Sequence, residues 1–304
     1  MLTVPPYGCA SPAELAPLAP VFRGPLKVIL GEIDVLTRLI LCCTLLGLGA
    51  APGARACGLM TIAFYDHGAL YYRAPDGEWS GIDKDVVAEL GRRSGCRFHS
   101  LTDSRVRIWA MLNAGNVDMS VSAIPTPERR KFARFVPYIS TRNYLLLPKN
   151  VAANVHSLDE FLAEPSYKVA VVKSFKHGPT YDAWLDKLRA QGRVYESADY
   201  TSLVHLFKIG RVQAILSLAT SWTPLAKHGG LPEDFQAMDW APKDMVVGAL
   251  VISRQTVPAG TVGLLEKTIR EMRADGTLKS IFERHVGAEL AAGMLSFPAG
   301  PDGD

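Results

Sequence analysis

From residue 59 the chain alternates short apolar runs with segments whose apolar residues recur at helical spacing. "LMTIAFY" (59–65) is an apolar run of strand length, and "APDGEW" (74–79) carries an Asp-Gly turn signal. In "IDKDVVAELGRRSG", Val86, Val87 and Leu90 share one helical stripe, which Gly95 ends. "CRFHSLT" reads as a strand, "RIWAMLNAGN" as a helix and "VDMSVSAI" as a strand. A second run follows. It has "YLLLPK", a short helix capped by Ser157, the strand "KVAVVKS", and a helix over 180–190 with Tyr181, Trp184, Leu185 and Leu188 on one stripe. "RVYES", "YTSLVHLFKIG", "VQAILSL" and "TSWTPLAKHGG" continue the alternation. "MVVGALVIS" (245–253) is one more apolar strand before "VGLLEKTIREMRADG" and "TLKSIFERHVG", both helical. This rhythm predicts a parallel α/β sheet with helices on its faces. No low-complexity linker separates the two runs, so two lobes are expected rather than separate beads. The tail after Gly287 is expected to be loosely ordered.

With 304 residues, 48% hydrophobic and 21% charged, the chain suffices for two medium domains. A formal charge of +3 with scattered Lys and Arg gives no reason to expect a nucleic-acid partner. Residues 1–56 stand apart. Arg38 precedes the uncharged run "LILCCTLLGLGAAPGA", and "ARA" follows: a secretory signal peptide cleaved near Ala56. Pro52 and Gly53 break the run, leaving it short for a membrane span. The Pro-rich stretch before Val35 fits a translation start placed too far upstream. Five cysteines are present, and cleavage after Ala56 would leave Cys57 and Cys96. An even count in an oxidising compartment points to a disulfide. The alternative is acylation of Cys57, against which Arg55 sits where a lipidation signal wants a small residue.

The candidate chemistry lies in "IPTPERRKFARFVPYIS" (124–140). Thr126 can cap a helix whose first residue is Pro127, which puts Arg129 at the third helical position. A guanidinium there opposes the macrodipole. It belongs either to a solvated basic face or to a site where Arg129 and the helix N-terminus await an anion. Ligands of α/β sheets sit beyond the C-terminal strand ends, and "VDMSVSAI" runs straight into this segment, which favours the anion. Arg105 and Arg107, ahead of Trp109, either reach the cleft or form a solvated helix start, and the second reading is preferred. Seven histidines form no metal-spacing pair. There is no G-x-S-x-G elbow, P-loop or dinucleotide fingerprint, so no catalytic residue, metal or cofactor is assigned.

"GIDKDVVAELGRRSG", "LNAGNVDMSVSAIPTPERRKFARFVPY", "IGRVQAIL" and "RADGTLKSIFERHVG" together resemble the family 3 extracellular solute-binding proteins of ABC transporters. The resemblance implies the two-lobed type II periplasmic-binding-protein fold, with two mixed sheets flanked by helices. Lobe 1 would comprise 57–139 with 248–287, and lobe 2 would comprise 143–245. Hinges would lie near 138–142 and 245–248, leaving 288–304 as a tail. It implies that Cys57 and Cys96 stand before neighbouring strands. It also implies a periplasmic protein, expected to be monomeric, that closes on a small molecule and delivers it to membrane permease subunits. In amino-acid-binding members the Arg matching Arg129 takes the α-carboxylate, and Ser122 matches a donor on the preceding strand. Departures follow. Ile124 stands for a helping Thr, Leu218 for the Asp that takes the ammonium, and "KSFKHG" (173–178) for a Gly-Thr-Thr-like turn. Half of the amino-acid code is thus missing, and the expected ligand is anionic or carboxylate-bearing. An α-amino acid is the runner-up, with Asp239 or Asp66 as the acid. Further candidate ligand residues are Thr126, Tyr71, Tyr72, Ser174, Phe175, Lys176, Ser217 and Trp222. Two other readings are a periplasmic enzyme resembling cyclohexadienyl dehydratases and a ligand-sensor module.

Overall fold

The structure, a computed structural model, describes residues 57–227 and 230–297; the N-terminal extension and signal peptide expected over 1–56 lie outside them. β1 (Leu59–Phe64) leads through a 3-10 turn (Gly68–Leu70) and the hairpin β2 (Tyr72–Arg73) and β3 (Trp79–Ser80) into α1 (Ile82–Ser94). Next come β4 (Arg97–Thr102), α2 (Arg105–Ala114), β5 (Met119–Ala123), α3 (Pro127–Arg130) and the long β6 (Ala133–Pro148). The chain continues through α4 (Lys149–Ala152), α5 (Leu158–Ala163), β7 (Val169–Val172), α6 (Pro179–Ala190), β8 (Val194–Ser197) and α7 (Tyr200–Lys208). β9 (Ala214–Leu218), α8 (Ala219–Lys227), β10 (Phe235–Met238) and β11 (Met245–Ser253) precede α9 (Ala259–Ala274), α10 (Thr277–Val286) and α11 (Ala288–Gly293).

Apolar spacing dictates which face each helix buries. Val86, Val87 and Leu90 of α1 join the core, and Gly95 closes the helix at φ 72, donating to Gly91 O. α1, α9 and α10 cover one face of the first lobe, while Ile108 and Leu112 of α2 cover the other. In the second lobe α7 covers one face, and Trp184, Leu185 and Leu188 of α6 with Phe161 of α5 cover the other.

The strand order is β4-β1-β5-β11-β6-β9-β7-β8, with β10 also on β6. Pairing is parallel for β1 with β4 and β5 and for β7 with β8 and β9, and antiparallel wherever β6 or β11 takes part. The sheets are therefore mixed, not purely parallel as the alternation alone predicts. β6 pairs with β11 along its first part and with β9 and β10 along its second, so one 16-residue strand serves both lobes. Cys57 and Cys96 form a disulfide with Cα atoms 5.3 Å apart, just before the paired starts of β1 and β4. After Gly287, where a loose tail is expected, α11 forms instead. Met294 beyond it is buried, and its carbonyl accepts from Ser140 N at 2.8 Å.

Candidate functional site

Two strand irregularities meet at the C-terminal end of β5, which is buried along its whole length. The β5–β11 register slips between Ala249 and Val251, opposite Ser122, which stands at φ 43. The β6–β11 register slips between Gly248 and Ala249, leaving Tyr138 as the extra residue beside Pro137. Proline has no N–H for the ladder, so a bulge next to it sacrifices little. Both bulges turn a polar side chain inward. Ser122 N donates to Tyr138 Oη at 2.8 Å, and Tyr138 Oη donates to Asp83 Oδ1 at 2.5 Å. Ser122 Oγ donates to the same carboxylate oxygen at 2.8 Å, and Tyr65 Oη donates to Ser122 O at 3.0 Å. Burial pushes the Asp83 carboxyl up to about 7, against the pull of its hydrogen bonds from Tyr138 and Ser122.

Beyond this network the chain turns through Thr126, whose Oγ1 accepts from Arg129 N at 3.3 Å and so caps α3. α3 is only four residues long, so the charge at this place comes from the guanidinium more than from a helix dipole. Arg129 Nη1 donates to Ile124 O at 2.7 Å, and Nη2 donates across the cleft to Ser174 O at 2.8 Å. The guanidinium lies 3.9 Å from the centroid of the Trp109 ring. Burial, and then the charge of Arg105, lower the Arg129 pKa to about 9, so it stays protonated at neutral pH.

Arg105 reaches the cleft, the less expected of its two readings. It is not solvated but 2% exposed, held between Tyr65 at 4.5 Å and Phe175 at 4.8 Å, one ring from each lobe. Arg107 is the exposed one and pairs with Asp103 at 2.7 Å. Beside Arg105, His67 stacks on Phe175 at 4.8 Å and meets Tyr200 edge-on at 5.4 Å. Burial, helped by Arg105, pulls the His67 pKa down to about 3, and neither ring nitrogen has a hydrogen-bond partner. Thr201 Oγ1 donates to Asp66 Oδ2 at 2.9 Å and Ser221 Oγ to His67 O at 3.3 Å. The lobes are thus closed on one another. Next to Ser122, Phe175 and Leu218 only a void of 10 Å³ remains, about the room of one water.

A larger cavity of 440 Å³ opens beside it, at the mouth between the lobes. Residues 124–128 line it from the first lobe, Lys176, Gly178, Pro179 and Asp182 from the second, and 245–247 from β11. Of the candidate residues, Thr126 and Lys176 line this cavity, Ser122 and Phe175 line the small void, and Ser174, at φ 63, supplies the carbonyl. The others are placed elsewhere. Tyr71 is stacked between Phe64 and Trp79 and bonded to Thr102, with Tyr72 in the hairpin behind it. Ser217 is bonded to Tyr200 at 2.6 Å, and Trp222 packs edge-on against Tyr144 and Phe235. His67 and Tyr65 carry no motif that would have marked them, and burial decides between the two readings of Arg105. Among the described residues no three of His, Cys, Asp and Glu are grouped as metal ligands would be.

The family model for the bacterial extracellular solute-binding proteins, family 3, matches residues 61–288. A Vibrio harveyi protein named as an amino-acid ABC transporter-binding protein, PatH, is 22% identical over 220 residues, which is 69% of this chain and 81% of that protein. Among solved structures, the ancestral amino acid-binding protein AncCDT-1, described as a precursor of cyclohexadienyl dehydratase, superposes with a TM-score of 0.64 at 18% identity. The match covers 75% of this chain and 96% of that one. An ancestral arginine-binding protein bound to arginine gives a TM-score of 0.65 at 17% identity, over 76% of this chain and 99% of that one. At these identities the two structures support the fold.

Proposed function

The chain belongs to the bacterial extracellular solute-binding proteins, family 3, and from that premise we propose that it captures a small carboxylate-bearing solute in the periplasm for an ABC importer. The lobes would be 57–139 with 248–287 and 143–245, moving about the middles of β6 and β11. The observation that carries the ligand class is the state of Arg129. Its guanidinium sits between the lobes over the Trp109 ring and donates to two backbone carbonyls, Ile124 O and Ser174 O. Among the described residues no carboxylate makes an ion pair with it, and a carboxylate would replace the neutral Ser174 oxygen with a charge-assisted bidentate pair. The 440 Å³ cavity, walled by Ile124 and Thr126, supplies the approach and has the size of a small-molecule site. Recognition of an ammonium is not needed, since Leu218 stands where the family's acid would be and is buried at 3% exposure.

An α-amino acid is the second reading, favoured by the relatives' names and by Asp66, which lies on the closing surface beside Thr201. Thermal shift with amino acids, dicarboxylates, aromatic acids and sugars tests the proposal, because a solute that binds only the folded state raises Tm. Carboxylates should raise Tm, and Arg129→Ala should abolish the shift, since losing a charge-assisted pair weakens binding by about tenfold to a hundredfold. A shift that survives Arg129→Ala would take this residue out of the solute site. Turnover of prephenate or arogenate in the same samples would replace the binder reading with an enzyme.

A further inference from the structure

We infer that the solute carries two negative charges and that Arg105 is the residue that binds the second. This rests on the reading of Arg129 as a carboxylate site. Arg105 is among the largest fully buried side chains and enters the cleft from the first turn of α2. Its Nε donates to Ser174 O at 3.4 Å, and its buried Nη2 makes no hydrogen bond. Arg129 donates to the same Ser174 oxygen at 2.8 Å. Two guanidinium groups, one from α2 and one from α3, therefore converge on a single neutral carbonyl.

Neither group can shed its charge near pH 7, because guanidinium does not titrate there. Buried like charges of this kind need counter-charge, and a carbonyl dipole supplies little. Nearby acids are committed elsewhere. Asp83 bonds Ser122 and Tyr138, Asp182 accepts from His177 N at 3.0 Å, and Glu128 is exposed at the mouth. None forms an ion pair with Arg105 or Arg129 among the described residues. A monoanion would leave one buried positive charge, whereas a dianion neutralises both. The rings against Arg105 are Tyr65 and Phe175, and the acids near them are bonded already, Asp83 to Ser122 and Tyr138 and Asp66 to Thr201. The recognised chemistry is thus a small dianion, either a dicarboxylate or a phosphate monoester.

Isothermal titration of the purified protein at fixed ionic strength tests this with succinate, glutarate and glycerol phosphate against monomethyl succinate, butyrate and glutamine. The expected result is a dianion bound at least about tenfold more tightly than the monoanions, from one additional charge-assisted pair. Whether succinate and glutarate or glycerol phosphate binds separates the two sources. Arg105→Met should remove the preference for the dianion over its monoester, with partial rescue of that preference in Arg105→Lys. The wild-type preference for dianion over monoester needs no variant, so a poorly folding Arg105→Met does not remove the test. Equal binding of succinate and its monoester would overturn the inference while leaving the carboxylate site at Arg129 in place. Binding of glutamine alone would also overturn it. If no anion binds and Arg129→Ala changes nothing, the Arg129 reading falls first.

Discussion

Asp83 and His67 place opposite pH dependences in one lobe. Asp83 holds its proton in the fold up to about 7, while the unfolded side chain releases it near 3.8. Its contribution to stability is therefore fully present below 3.8 and is lost as pH rises through 7. The interval from 3.8 to about 7 bounds that loss at roughly 4 kcal/mol. His67 is neutral in the fold down to about 3, so its contribution disappears as pH falls from 6.5 toward that value. The two slopes offset each other in the wild type. Asp83→Asn, which imitates the protonated acid, should therefore remove the Asp83 slope and leave that of His67 more exposed. Urea midpoints at pH 4 and pH 7.5 check this: relative to the variant, the wild type should be less stable at the higher pH. An unchanged difference between the two pH values would mean that Asp83 is ionised in the fold. At this scale Arg129 was legible in the sequence, because Thr126, Pro127 and the preceding strand fix its place locally. Arg105 was not. Ser104 caps α2 as a solvated start would, and only Phe175, far along the chain, buries the guanidinium.

Among the elements, the 3-10 turn and α8 decide how far the lobes can close. Gly68 stands at φ 57, and a Cβ there would come 2.6 Å from both Cα and Cβ of Ser221 in the other lobe. Those atoms are fixed to the Ser221 backbone and leave no flexible end to give way. Gly68→Ala should therefore act as a wedge, with overpacking of about 1–3 kcal/mol against the closed state. Solute affinity should fall by roughly tenfold, and the radius of gyration by small-angle scattering should rise without added solute. An unchanged radius with normal affinity would mean that the turn yields instead. Most elements were legible from apolar spacing, since the Val86–Val87–Leu90 and Trp184–Leu185–Leu188 stripes bury the predicted faces. The unbroken β6 was not. Pro137 reads as a stop and Ser140, Thr141 and Asn143 as a polar break, yet these three are buried because β11 and β9 flank them. The bulge at Tyr138 is what lets a strand pass through proline.

Across the whole molecule, the C-terminal strand ends carry the cleft and the opposite ends carry the staple. Tyr65, Asp66 and His67 follow β1, Arg105 follows β4, and Ser122 ends β5, whereas Cys57 and Cys96 precede β1 and β4. That split was legible in part: the resemblance put Cys57 and Cys96 before neighbouring strands and the strand-end rule put Arg129 at the cleft, whereas the alternation alone predicted a purely parallel sheet. The closed state was not, because it depends on Ser174 and Phe175 meeting residues of the other lobe. β1 spans six residues, so roughly 20 Å separates bridge from cleft. The bridge closes a loop with a sequence separation of 39, and the entropy of the unfolded chain it restricts amounts to roughly 4 kcal/mol. Reduction, or Cys57→Ser with Cys96→Ser, should thus lower the unfolding free energy by about 2–4 kcal/mol, read from urea midpoints. Solute affinity should stay within about twofold, because the strand register between bridge and cleft is held by the β1–β4 ladder. A tenfold loss of affinity with little loss of stability would reverse the assignment. The bridge would then be setting the cleft at the far end of β1 and β4, and the two ends of the lobe would be mechanically one.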